Sequence, residues 1–102
     1  LQVAECKPPF VLRYAAQDAE VLLDWDTTQL PDALLWISNG GRSHAPWDGL
    51  HYALGIEPDN SCFDLTSVAT PPETHPLAKR TGIRLQVGVP LRIAYCLSAR
   101  AL

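Results

Sequence analysis

The sequence predicts an all-β fold, an antiparallel β-sandwich. Three observations carry that expectation. Short runs of branched and aromatic residues recur along the chain, separated by turn residues. Nine prolines and only 19% charged residues argue against a helical bundle. No segment sustains an apolar repeat near 3.6 residues, and only Ala15 to Leu23 has any helical propensity, which Val21 and Trp25 oppose.

The elements follow in order. Phe10-Val11-Leu12-Arg13-Tyr14 alternates loosely, and Glu20 to Asp26 follows a polar break at Gln17-Asp18, so the two read as a hairpin. Thr27 to Asp32 is a turn region. Ala33-Leu34-Leu35-Trp36-Ile37-Ser38 is a short apolar run, as expected of a buried strand. Asn39 to Gly49, with its glycines, proline and polar residues, is a loop. His51 to Glu57 is the next strand, with Pro58 expected to halt it. Residues 59–82, rich in Pro, Thr, Ser and Asp, read as a long functional or surface-wrapping segment. Ile83, Leu85 and Val87 alternate with polar residues, Gly88-Val89-Pro90 breaks the pattern, and Leu91 to Ser98 alternates again. This predicts a closing hairpin. Five to seven strands are expected in all.

The 102 residues suit one small domain or a piece of a larger one. A chain this short, folding alone, buries roughly 60–65% of its unfolded surface. The balance of 8 basic against 11 acidic residues, net −3, argues against a nucleic-acid partner, because phosphate recognition needs a basic stripe. No apolar run is long enough for a transmembrane helix, and no membrane partner is expected. The absence of Met anticipates a trimmed, processed or partial chain. Cys6, Cys62 and Cys96 form no C-x-x-C pair, and no secretory leader is visible, so reduced thiols and a cytoplasmic location are expected.

Two regions carry candidate chemistry. On the strand at 51–57, alternation turns Tyr52, Leu54 and Ile56 toward the core and His51, Ala53, Gly55 and Glu57 to the other face. The small residues at 53 and 55 leave room for close approach beside the Glu57 carboxylate, a candidate base or acceptor. An ordinary surface glutamate is the competing reading. The loop Asn39 to Gly49 gathers Asn39, Arg42, His44 and Trp47, with His51 just beyond it. Planar polar groups take hydroxyl pairs and an indole stacks on the C–H face of a pyranose, so this is the composition of a sugar site. A structured turn, with Trp47 anchored in the core and Arg42 salt-bridged, competes with that reading.

Other constellations are set aside. His44 and His51 are seven apart and lie near Glu57, but no third ligand has a fixed spacing, so no metal is expected. Ser61-Cys62 has no oriented triad. Gly40-Gly41 lacks the pattern of a phosphate loop. Trp25 and Trp36 are assigned to the core rather than to a ligand platform.

Leu30-Pro31-Asp32-Ala33-Leu34-Leu35-Trp36, the glycine loop, and Leu54-Gly55-Ile56-Glu57-Pro58 together resemble the C-terminal part of the aldose 1-epimerases, the galactose mutarotase-like proteins. A later family turn, L-x-P-G-E, would correspond to Leu85-Gln86-Val87-Gly88-Val89. It keeps Leu85 and Gly88 but has valine at 87 and 89. The resemblance covers roughly residues 10–99, the last third of a family member. It implies a large antiparallel sandwich with an open sugar cleft, and the family's catalytic base falls on Glu57. The family's general-acid histidine lies upstream, and no position here matches it.

The expected ligand is therefore a sugar or sugar phosphate, with no cofactor. The expected function is carbohydrate binding, with aldose 1-epimerase-type isomerisation as its catalytic form. The alternative is a non-catalytic oligomeric β scaffold with no sugar site. A partial sandwich leaves an apolar sheet face bare, so a homodimer or higher homo-oligomer is expected.

Overall fold

The computed structural model describes residues 1–62, 73–80 and 82–102. Its described residues form six strands: β1 (Gln2–Val3), β2 (Phe10–Tyr14), β3 (Ala19–Trp25), β4 (Asp32–Asn39), β5 (Tyr52–Asp59) and β6 (Tyr95–Ala101). They make two three-stranded antiparallel sheets, ordered β1-β4-β5 and β2-β3-β6. The all-β expectation holds. Helix propensity at Ala15 is spent on one 3-10 turn, Ala15–Gln17, which closes the β2–β3 hairpin through Asp18 in the left-handed region. Among the described residues, no helix is long and apolar enough to cross a membrane.

The core lies between the sheets. Cys6, Trp25 and Ala33 are its buried centre, with Val3, Phe10, Leu23, Leu30 and Ile56 packed around them. Phe10 meets Trp25 edge-on at 5.0 Å, and the Trp25 indole N–H donates to the Leu30 carbonyl at 2.7 Å. Asp32, fully buried at the start of β4, joins three distant parts of the chain. Its Oδ1 accepts from the Glu5 N–H at 2.9 Å and its Oδ2 from Arg80 Nε at 2.9 Å.

The faces of the β2-β3-β6 sheet separate by polarity. One carries Arg13, Glu20 and Arg100 in a single row, with buried Glu20 bonded to both guanidinium groups. The other carries the rows Phe10–Leu23–Leu97 and Leu12–Val21–Ala99, and no charged residue stands on it. The core covers the end at Phe10, Leu23 and Trp25, while Tyr95 and Leu97 remain 76% and 65% exposed.

Three expectations need correction. Pro58 does not halt its strand: β5 runs to Asp59, with Pro58 opposite Ala33. β5 is an edge strand, where a residue without an N–H is tolerated. The hairpin expected over 83–98 is absent. Residues 83–94 form no strand, and β6 pairs instead with β3, Leu23 opposite Leu97. Alternation makes a segment strand-capable, but only a neighbouring edge makes it a strand, and Leu85 and Val87 stand exposed without one. Tyr52 and Leu54 share a face with Ile56, as alternation requires, but only Ile56 reaches the core. The sequence reading also missed β1, whose two residues are too few to carry a pattern. Of the segment 59–82, residues 63–72 and 81 lie outside the described residues, and 73–80 forms successive turns.

Candidate functional site

The β4–β5 ladder builds the floor of a cleft. Its register sets Leu34 opposite Glu57, Trp36 opposite Gly55 and Ser38 opposite Ala53. These six side-chain positions share one face. Glycine at 55 leaves the floor low: a Cβ there would stand 3.4 Å from Trp36 Cβ, 3.6 Å from Trp36 Cε3 and 3.2 Å from Glu57 Oε1. The indole and the carboxylate both lean into the space the missing side chain leaves.

The loop between β4 and β5 supplies the wall. Asn39 and Tyr52 are register partners at its two ends. Inside, the Gly40 N–H donates to the His51 carbonyl at 3.0 Å and the Gly49 N–H to the Arg42 carbonyl at 2.8 Å. The N–H groups of Trp47 and Asp48 both donate to the His44 carbonyl, at 3.0 and 3.1 Å, making one tight turn. Gly40, at φ +67°, permits this closure; a Cβ there would lie 2.9 Å from the Gly49 carbonyl and 2.7 Å from the Tyr52 hydroxyl.

The loop returns Trp47 onto the sheet. Its ring meets Trp36 edge-on at 5.8 Å and His51 edge-on at 4.8 Å, while His51 stacks on Trp36 at 5.5 Å. The Arg42 guanidinium lies over both indoles, 5.7 Å from the Trp36 ring and 5.4 Å from the Trp47 ring. Trp36, Arg42, Trp47, Leu34 and Glu57 together line an open cleft of about 600 Å³.

His51 holds this cluster from behind. The Ser38 hydroxyl donates to the His51 carbonyl at 3.0 Å, and the same oxygen lies 2.8 Å from His51 Nδ1. A hydroxyl has one proton, so Nδ1 carries its own and donates to Ser38. In the neutral ring, Nε2 then holds the lone pair. Electrostatically, the Glu57 charge is felt two residues away. Asp59 is pushed above the usual carboxylate value chiefly by its burial, with Asp32 and Glu57 adding to the shift and the Ser61 N–H and Gln2 amide opposing it.

Of the residues singled out from sequence, Arg42, Trp47 and Glu57 meet in the cleft, and His51 supports it. Asn39 does not join them. By alternation it stands on the face opposite Trp36, and it is not among the residues that line the cleft. His44 is exposed on the loop and contributes its carbonyl to the turn rather than its ring to the cleft. Trp36, assigned to the core from sequence, is instead a cleft wall. The signal for it was the register: a tryptophan beside a run of small residues is placed by whichever face those residues occupy. The set-aside Cys62 has a histidine for a neighbour, with Sγ 3.5 Å from both ring nitrogens of His75.

Comparison with protein-family models, with curated proteins and with solved structures returned no match.

Proposed function

We propose that this chain binds a carbohydrate in the cleft between Trp36, Arg42, Trp47 and Glu57. The reading is supported by one arrangement above all: two indoles, a guanidinium and a carboxylate converge on one open cleft of about 600 Å³. An indole face accepts the C–H face of a pyranose. The Glu57 carboxylate accepts hydrogen bonds from hydroxyl groups, and the guanidinium donates them. Among the described residues Glu57 has no ion-pair partner, which leaves its oxygens available to a ligand.

Isomerisation would ask more of the site. Glu57 would take the proton of the anomeric hydroxyl while an acid protonates the ring oxygen, opening the ring. The cleft lining contains no histidine, and His51 is engaged behind the indoles. Binding without turnover is therefore the preferred form of the proposal.

The test is a protein-observed NMR titration with a panel of aldoses, reading the three tryptophan indole signals, beside Glu57→Gln. Saturable shifts at Trp36 and Trp47, weakened in the variant, support the proposal. Absence of shifts at tens of millimolar sugar overturns it. Polarimetry with an anomerically pure binding sugar then separates a binder from an isomerase.

A second reading, self-association, has its own observation: Tyr95 and Leu97 stand uncovered on the charge-free face of the β2-β3-β6 sheet. Apolar sheet surface of this kind marks an interaction site. A dimer in light scattering that dissociates in Leu97→Glu supports it. A monomer at high micromolar concentration overturns it.

A further inference from the structure

The guanidinium of Arg42 is the unusual member of the cleft. The side-chain ion pairs among the described residues use Arg13, Arg80 and Arg100, and none uses Arg42. No hydrogen bond from its side chain reaches a described protein acceptor. Arg42 is exposed, and its guanidinium lies within 6 Å of two indole rings on the cleft wall. A cation–π contact uses the charge of the guanidinium and not its hydrogen-bonding capacity, and no protein acceptor among the described residues takes its N–H donors. A guanidinium beside a cleft with its donors unpaired can recognise a carboxylate or phosphate by paired hydrogen bonds.

Resting on the carbohydrate reading, we propose that the ligand is an anionic monosaccharide. Its ring lies against an indole, its hydroxyls meet Glu57, and its carboxylate or phosphate is taken by the edge of Arg42. Glu57 and Arg42 then have separate tasks. Glu57 selects hydrogen-bond donors and repels an anion placed beside it, while Arg42 draws the anion to its own side. This fixes the direction in which the sugar lies, which neither indole alone can do. Lysine is no substitute at 42, because an ammonium is a point charge without the planar fork.

The experiment compares glucose and galactose with glucuronate, galacturonate and glucose 6-phosphate, and with inorganic phosphate alone, by NMR titration of the wild-type chain. The expected result is that an acidic sugar binds at least about tenfold more tightly than its neutral parent. That preference should shrink as salt rises from about 50 mM to about 0.5 M. It should fall to within about twofold in Arg42→Gln, and Arg42→Lys should recover only part of it. The salt series on the wild type tests the charge even if a variant folds poorly.

Equal affinity for neutral and acidic sugars would overturn the inference and leave the carbohydrate reading standing. Inorganic phosphate binding as tightly as the sugar phosphate would also overturn it, because the sugar ring would then contribute nothing. No binding by any sugar would overturn both.

Discussion

Trp36 and Gly55 face each other across the β4–β5 ladder, and the ring of the first lies against the space left by the second. Gly55 has an ordinary backbone conformation, so a side chain there meets crowding and no φ strain. In Gly55→Ala the tightest contact is the mobile end of Glu57, at 3.2 Å, which can swing aside. The gain from a less flexible unfolded chain, about 0.4–1 kcal/mol, offsets that contact. Stability should change little while sugar affinity falls several-fold, because the carboxylate has moved. Gly55→Val, which must also displace the indole, should lose binding altogether. Urea unfolding and the indole titration, run side by side, separate the two effects.

Asp32→Ala should be among the most damaging single changes. The carboxylate is fully buried and satisfies both Arg80 and the Glu5 N–H, and its loss strands a part-buried guanidinium. Breaking such a pair from one side costs about 3 kcal/mol. Chemical denaturation of the variant checks the magnitude. Recovery in an Asp32→Ala, Arg80→Leu double variant would trace the cost to the stranded charge.

Stability should fall on acidification partly through Glu20. Hydrogen bonds from Arg100 and then Arg13 hold its carboxyl below the ordinary glutamate value. A carboxylate depressed in the folded state adds stability above its unfolded pKa and loses it as pH falls through the folded one. Asp59 acts in the opposite sense: raised by burial, it favours folding most when protonated, and its contribution is lost as pH rises through its folded pKa. Denaturation midpoints between neutral pH and pH 3 should show a shallower acid loss in Glu20→Gln and a steeper one in Asp59→Asn.

The three thiols should react in a fixed order. Cys96 is exposed on β6, Cys62 is half-buried, and Cys6 is buried in the core. Burial raises the Cys6 pKa first, and the charges of Asp32 and Asp59 raise it further, so its thiolate is both scarce and hidden. Labelling with a thiol reagent under native conditions, followed by peptide mapping, should modify Cys96 first and Cys6 last. Early labelling of Cys6 would mean the core opens locally.

The strands at 10–14, 20–26 and 33–38 were legible because turn residues bound them and their hairpin partners are near in sequence. β6 was placed in the right stretch but with the wrong partner. Its true neighbour, β3, lies some seventy residues earlier: Trp25 pairs with Tyr95 and Ala19 with Ala101. Side-chain alternation is silent on that choice. Glu57, Arg42 and Trp47 were recognisable by residue type, and the small residues between His51 and Glu57 signalled a shallow floor. Asn39 reads as a loop residue by its neighbours, but it is the last residue of β4, so strand parity sets its side. For Trp36 the converse holds: a tryptophan in an apolar run suggests burial, yet the side of the sheet it faces decides its role.

The loop from Gly40 to His51 begins and ends at one rung of the ladder, between Asn39 and Tyr52, and much of its backbone bonding is internal. Such a segment behaves as a cassette. Its length and sequence can change, by mutation or by grafting, without moving the register of β4 against β5. It carries Arg42 and Trp47, while the strands carry Trp36 and Glu57. Under the proposed function, ligand preference and fold stability are thus largely separable. Libraries confined to residues 41–48 should yield folded variants with altered recognition, where libraries over β4 or β5 would lose both at once.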